Sequence, residues 1–356
     1  MSNILTLPDF RRRRALISAP ERLVDLFALH RHGQGDVRWL KENAEVLRLL
    51  VATGQTIDPE LLGRAHGATA RDLPTRLAFF PQYYRFLLSI ALDLDALGLN
   101  GLDAAGLVAR AMADGLPETE LSDLQRAEAA LFARRVGLDL PDDGLTERLM
   151  RFAGRSATFA LPNKKAAYEL THIAFYLSDY GRHSFEGAAT LRESLEFAGL
   201  VAWLEQNTDL LAEVCMALRY CGATPPAAWE AGIAGDLADF YIGPMDGAAG
   251  SDDYHAWLMA AWLVSGAGGR PLSAPLPAGA LGFAAPRRPS ALHELSAALL
   301  DLDTARSPDW SVMRRRLAAR LSQPAMDILD RAAASTHAFE PFFARFVRVD
   351  RKGIAA

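Results

Sequence analysis

Six glycines punctuate the chain at nearly even intervals. The stretches LLVATG, LDALG, ARRVG, SDYG, RYCG and LVSG end at Gly54, Gly98, Gly137, Gly181, Gly222 and Gly266, which are 44, 39, 44, 41 and 44 residues apart. Glycine is the favoured residue just past a helix, because without a Cβ it adopts the left-handed backbone at little cost. Each interval has room for two helices and two turns, as in Asp103 to Gly115 followed by Thr119 to Val136. The spacing predicts a helical hairpin repeated about every 42 residues, the length of units that bury their apolar faces by stacking. Such hairpins stack openly as a solenoid or close into an α/α toroid whose second helices line a funnel. Six or seven hairpins suit a ring, and second helices such as LAFFPQYYRFLLSIALDLDALG are the more apolar members.

The segments between these stops read as helix. Ala, Leu, Arg and Glu fill long stretches, while alternating Val, Ile and Thr runs are almost absent, so the expected class is all-α. APERLVDLFALHRHG places Pro20 at a helix start and Gly33 at its end. A seventh helical pair is expected from Ser290 to Ser322, followed by a last helical stretch. One interruption, GAGGRPLSAPLPAGALGFAAPRRP at 266–289, is rich in Gly and Pro and predicts a long loop without regular structure. It reads either as a cover over the funnel or as a tolerated insertion. The domain reading is a flexible N-terminus over 1–15, one helical-hairpin domain over 16–347, and a tail over 348–356.

Composition excludes several classes. Half of the 356 residues are hydrophobic and 23% are charged, which suits a globular chain. A net charge of -5 offers no general attraction to phosphate backbones, and the one basic run, Arg11 to Arg14, lies near a terminus, so nucleic acid is not an expected partner. No apolar run reaches the roughly 20 residues that cross a bilayer, and the order of charge in MSNILTLPDFRRRR is the reverse of a secretory signal. Two cysteines, Cys215 and Cys221, are too few for a disulfide framework. These features together point to a cytoplasmic protein without a membrane partner. There is no Gly-rich phosphate loop and no serine nucleophile elbow.

The candidate chemistry sits in the N-terminal halves of the second helices. These carry Glu42 and Asn43 in WLKENAE, Gln82, Tyr83 and Tyr84 in PQYYRF, Gln125 and Glu128 in SDLQRAE, Asp209 and Glu213, and Asp253 and His255 in DDYHAW. Most concentrated is YELTHIAFYLSDYG, where Glu169, His172, Tyr176 and Asp179 share one helical face. A carboxylate one turn from an imidazole can orient it as a general acid or base, so Glu169 and His172 form the candidate catalytic pair. Tyr176 is the candidate donor to a developing oxyanion. The alternative for the same stripe is a solvated face or an internal hydrogen-bond network.

Metal chemistry has two sequence footholds. Glu169-x-x-His172 has the spacing of half a di-iron carboxylate site, and Asp252-x-x-His255 is the nearest second copy. Glu213 and Cys215 in EVC, with a histidine, form the other. That set resembles the Asp-x-Cys plus His zinc site of protein prenyltransferase β-subunits, which are α/α toroids. Here Glu stands for Asp, and the histidine is His172 or His255. Zinc accepts one Cys, one His and one carboxylate with a fourth position open for catalysis.

Along most of its length, notably at FFPQYYRFLLSIALDLDALG, ATFALPNKKAAYELTHIAFYLSDYGR and QNTDLLAEVCMALRYCG, the chain resembles an uncharacterised family of Rhodobacter-like alphaproteobacteria. The resemblance implies a bacterial cytoplasmic context and carries over no functional residue. Two functions remain in view. One is an enzyme whose funnel-shaped pocket performs acid/base or zinc-assisted chemistry on an organic small-molecule substrate. The other is a helical-repeat scaffold that binds a protein partner.

Overall fold

The computed structural model describes residues 18–244, 252–268 and 276–349. The expectations for residues 1–15, including Arg11 to Arg14, and for most of the 348–356 tail lie outside the described residues. Within them the chain is predominantly helical. Helices α1 (Ala19–Leu29) and α2 (Val37–Ala52), α3 (Pro59–Phe79) and α4 (Tyr84–Ala96), and α5 (Ala104–Ala113) and α6 (Asp123–Arg135) follow in pairs. Next come α7 (Leu145–Ala153), the single turn α8 (Ser156–Phe159) and α9 (Lys164–Leu177), then α10 (Arg192–Glu205) and α11 (Thr208–Tyr220), and α12 (Ala227–Asp239) and α13 (Tyr254–Gly268). The chain continues through α14 (Leu292–Leu302), α15 (Trp310–Leu317), α16 (Gln323–Ser335) and α17 (Phe339–Phe346).

Local chemistry sets these ends. Ser18 and Glu21 form a reciprocal capping box at α1, and Asp36, Asp58, Asp103, Asn163 and Asn207 each accept a backbone N–H in the first turn of the helix that follows. At the other ends, Gly54, Gly98, Gly137 and Gly222 directly follow the C-caps of α2, α4, α6 and α11 with positive φ, while Gly181, also of positive φ, lies three residues past Ser178, the C-cap of α9. The sixth expected stop differs, because Gly266 lies inside α13.

The second helices of the pairs pack side by side in sequence: α2 on α4, α4 on α6, α6 on α9, α9 on α11, and α11 on α13. Their partners cover them from behind, with α1 on α2, α3 on α4, α5 on α6, α10 on α11 and α12 on α13. Tyr254 at the start of α13 reaches back to α2, donating to Glu45 at 2.8 Å and accepting from Lys41 at 2.9 Å. The expected seventh pair does not extend this row. Instead α14, α16 and α17 pack against α10, and α16 also against α12. The cause is the apolar payload of α17, where Phe339, Phe342, Phe343 and Phe346 are all buried and Phe342 meets Phe197 of α10 at 5.8 Å.

The 266–289 segment needs correction at both ends. Residues 266–268 continue α13, 269–275 lie outside the described residues, and β2 (Leu281–Ala284) pairs antiparallel with β1 (Tyr241–Pro244). Alternation explains the strand: Leu281 and Phe283 are buried, and Phe283 stacks on Phe27 and lies 4.9 Å from Trp257. Arg31 clamps this ribbon, donating to the Leu281 carbonyl at 2.7 Å and pairing with both Glu42 and Asp252. Among the described residues no helix is long and apolar enough to cross a membrane.

Candidate functional site

Six helices line a single cavity of about 170 Å³, among their residues Glu45 (α2), Phe86 (α4), Glu128 (α6), His172 (α9), Glu213 (α11) and His255 (α13). These positions are 41, 42, 44, 41 and 42 residues apart, the same rhythm as the glycine stops. The side-by-side packing of the helices converts that rhythm into a common height in the structure.

The most polar wall is formed by α9, α11 and α13. Asn207 caps α11 by accepting from Leu210 N, which places Asp209 in the first turn and Glu213 one turn further on the same face. Asp209 accepts from the Tyr168 hydroxyl at 2.7 Å on one oxygen, and Nδ1 of His255 lies 2.7 Å from the other. That contact puts the Nδ1 proton of His255 on the carboxylate and turns Nε2 toward Glu45 at 3.8 Å and Glu213 at 3.9 Å. Glu213 is 1% exposed and has Thr171 Oγ1 at 2.5 Å from Oε2, with Nδ1 of His172 at 3.7 Å. Nδ1 of His172 also lies 2.7 Å from the Tyr168 carbonyl, an acceptor only, so this nitrogen carries the proton and Nε2 holds the free lone pair of the neutral ring.

Charge is distributed to match. Burial works against a charged His255, yet Glu45, Asp209 and Glu213 outweigh it and raise the imidazole to about 9. Burial pushes the Glu213 carboxyl up from its ordinary range, opposed by His172 and His255. Burial acts in the same direction on Asp209, but its bonds to His255 and Tyr168 prevail and hold it below the ordinary value.

Across the cavity, Arg85 is held by Glu120 at 3.0 Å and Glu128 at 2.6 Å, beside the buried Tyr176 ring. At the end reached by Arg48, Tyr180 and Trp262, the two rings stack at 5.7 Å. Beyond them lies a buried network that crosses four helices. Asp93 faces Arg48 at 2.9 Å and Arg135 at 3.6 Å, and Arg135 Nε donates to Asp179 at 2.8 Å. Burial drives the Asp93 carboxyl up to about 7 despite Arg48. The C-terminal halves of these helices are therefore not simply apolar, as their sequences suggest.

The structure separates several residues that sequence patterns group together. Glu169 does not meet His172: it is half-buried, its closest cation is Lys165 at 4.0 Å, and it does not line the cavity, because it sits a turn nearer the outer end of α9. His172 and Tyr176 do line it. Asp179 falls past the end of α9 with φ 47 and belongs to the Arg135 network, so its carboxylate serves the fold. Cys215 is fully buried and not among the lining residues, since two residues along a helix turn it about 200° from Glu213. The set of Glu213, Cys215 and His255 is thus not assembled, and Asp209 takes the place of the thiol. Asp252 is engaged by Arg31, which removes the second half of the di-iron pattern. Glu42 pairs with Arg31, and Asn43 donates to backbone carbonyls of Phe27 and Trp39. Glu45, Arg48, Arg85 and Trp262 join the site without having been singled out from the sequence. Counting back in steps near 42 from His172 would have reached Phe86 and Glu45.

Fold and cavity together define a predominantly helical protein with a central cluster of carboxylates and imidazoles. The chain belongs to the family described as "Domain of unknown function (DUF6902)", which matches residues 1–349. No match to the chain is found among curated proteins or among solved structures.

Proposed function

We propose that the six cavity-lining helices close into an α/α toroid, and that the central cavity is the active site of an enzyme acting on a small organic molecule in the bacterial cytoplasm. The observation that carries this reading is the register of Glu45, Phe86, Glu128, His172, Glu213 and His255, which lie on six different helices and line a single cavity. The contact of Tyr254 with Glu45 and Lys41 supports closure between the last and first of these helices. At about 170 Å³ the cavity is smaller than the roughly 300 Å³ at which drug-sized pockets begin, so its substrate is small.

His172 is the general acid/base of this reading. The Tyr168 carbonyl fixes its tautomer, and Glu213 stands beside it where Glu169 was expected. Tyr176, in edge contact with the His172 ring at 5.7 Å, lines the same wall as a hydroxyl donor. The test is to incubate the protein with a defined panel of carboxylate, amine and sugar metabolites and follow consumption by mass spectrometry. The expected result is turnover by the natural chain and none by His172→Gln at equal helicity and melting temperature. Undiminished turnover by His172→Gln would remove the assignment.

One surface feature favours the scaffold reading as a second possibility. Phe79 is 75% exposed beside Phe80, Val37 and Tyr83 at a separate pocket of about 560 Å³, the kind of apolar patch that marks protein contacts.

A further inference from the structure

Asp209, Glu213 and His255 each offer one ligand atom, and these atoms all lie within 4.8 Å of one another. We infer that Glu213 and Nε2 of His255 bind a single divalent first-row transition-metal ion inside the cavity, with Asp209 orienting the imidazole through Nδ1. A carboxylate and an imidazole form a mixed oxygen and nitrogen donor set that suits Zn²⁺, Mn²⁺ or Fe²⁺. The separations admit an ion. Metal–nitrogen and metal–oxygen bonds of about 2.0–2.2 Å add to more than the 3.9 Å between Nε2 of His255 and Oε1 of Glu213, so one ion reaches both atoms.

The hydrogen bonding of Glu213 leaves one oxygen for a cation. Glu213 is 1% exposed as a residue and lines the cavity, and Thr171 engages its Oε2. For Oε1, the nearest cationic atom is the Nε2 at 3.9 Å, beyond hydrogen-bond reach. A metal ion in the cavity would lie between these two atoms and engage both directly. Glu45 does not fill the gap, because Lys41 at 3.1 Å and Tyr254 at 2.8 Å already engage it. Around the metal ligands, Thr171 holds Glu213, and Asp209, itself held by Tyr168, orients His255 through Nδ1, the hydrogen-bonded support that ligating side chains receive.

The inference deepens the proposed enzyme site but rests on the cavity rather than on turnover, and the two fail separately. The probes are Zn²⁺, Mn²⁺ and Co²⁺ alone, titrated into chelator-treated protein purified without a histidine tag and followed by calorimetry and elemental analysis. One equivalent is expected to bind with a rise in melting temperature. Asp209→Asn should weaken binding by about 10–100-fold, the range for losing a ligand's orienting partner, and Glu213→Gln by at least as much, while Glu169→Gln leaves it unchanged. Bound Co²⁺ should show no thiolate charge-transfer band, which separates this set from one using Cys215. Binding well below one equivalent by the natural chain overturns the inference even if a variant fails to fold. So does a thiolate band, or full-affinity binding by folded Glu213→Gln. Loss of turnover in His172→Gln with metal binding intact would leave both readings standing, and turnover by a natural chain that binds no metal in the titration would overturn this one alone.

Discussion

Thr171 Oγ1 lies 2.5 Å from Oε2 of Glu213, tying α9 to α11 at the most buried carboxylate of the cavity. Removing that hydroxyl while keeping its shape removes the bond, together with the 2.8 Å contact of the same hydroxyl to the Tyr168 carbonyl one turn back on α9. Thr171→Val is expected to cost about 1.5–3 kcal/mol, the range for a hydrogen bond to a charged group, and Thr171→Ser to restore most of it. Chemical denaturation of the two variants measures the difference. Equal stability of Thr171→Val and the natural chain would show that Glu213 does not depend on this donor.

Gly181 lies four residues past α9 with φ +83, and a Cβ there would come within 2.4 Å of the Tyr220 ring. Gly54 ends α2 with φ +66 but has open space around it. Gly54→Ala should therefore cost about 1 kcal/mol from backbone strain alone. Gly181→Ala should cost more, because α9 and α11 must also shift apart. Thermal melts of the pair test whether the stop at Gly181 is packed as well as capped.

His66 is 1% exposed against the Trp39 ring at 5.7 Å, and burial lowers its imidazole to about 4. The folded state resists the proton that the unfolded chain accepts near 6.5. Stability from this group is thus present above about pH 6.5 and is lost as pH falls toward 4, by about 3 kcal/mol in full. His66→Leu should flatten the stability profile in that window, as read by urea unfolding at several pH values. An unchanged slope would assign acid sensitivity to other groups.

Asp93 is the partner that Arg48 meets inside the protein, and both are less than a tenth exposed. Asp93→Ala leaves a buried guanidinium uncompensated and should cost about 3–5 kcal/mol. Replacing both residues, as Arg48→Met with Asp93→Leu, should recover much of that loss. Additive losses in the double variant would contradict the view that these charges matter chiefly as a pair.

What the sequence made legible was local and periodic. Left-handed glycine caps depend on neighbouring residues only, so four of the six expected stops directly follow a helix cap, and the same rhythm carries Glu128, His172, Glu213 and His255 to one cavity. Height along a helix was harder to read than its face. Glu169 and His172 share a face of α9, yet only His172 reaches the cavity, because a turn's difference in height places Glu169 beside Lys165. Contacts between distant segments were invisible. Arg31 finds Asp252 across 221 residues and the Leu281 carbonyl across 250, and it thereby organises a strand hidden in a Gly- and Pro-rich stretch. Cys215 attracted a metal reading through residue type alone, while the spacing that turns it away from Glu213 was already in the sequence.

The central claim is that the helices close on themselves so that α13 and α2 share one cavity. Tyr254 and Glu45 meet at 2.8 Å but stand 209 residues apart, so their energetic coupling reports closure directly. The measurement is a double-mutant cycle in solution with Tyr254→Phe, Glu45→Gln and the combination, using unfolding free energies. Closure predicts a coupling of about 1 kcal/mol or more, because the hydroxyl donates to a carboxylate in a partly buried site. Two losses that add to within about 0.3 kcal/mol would mean that α13 and α2 do not meet in solution, and the shared cavity would go with them.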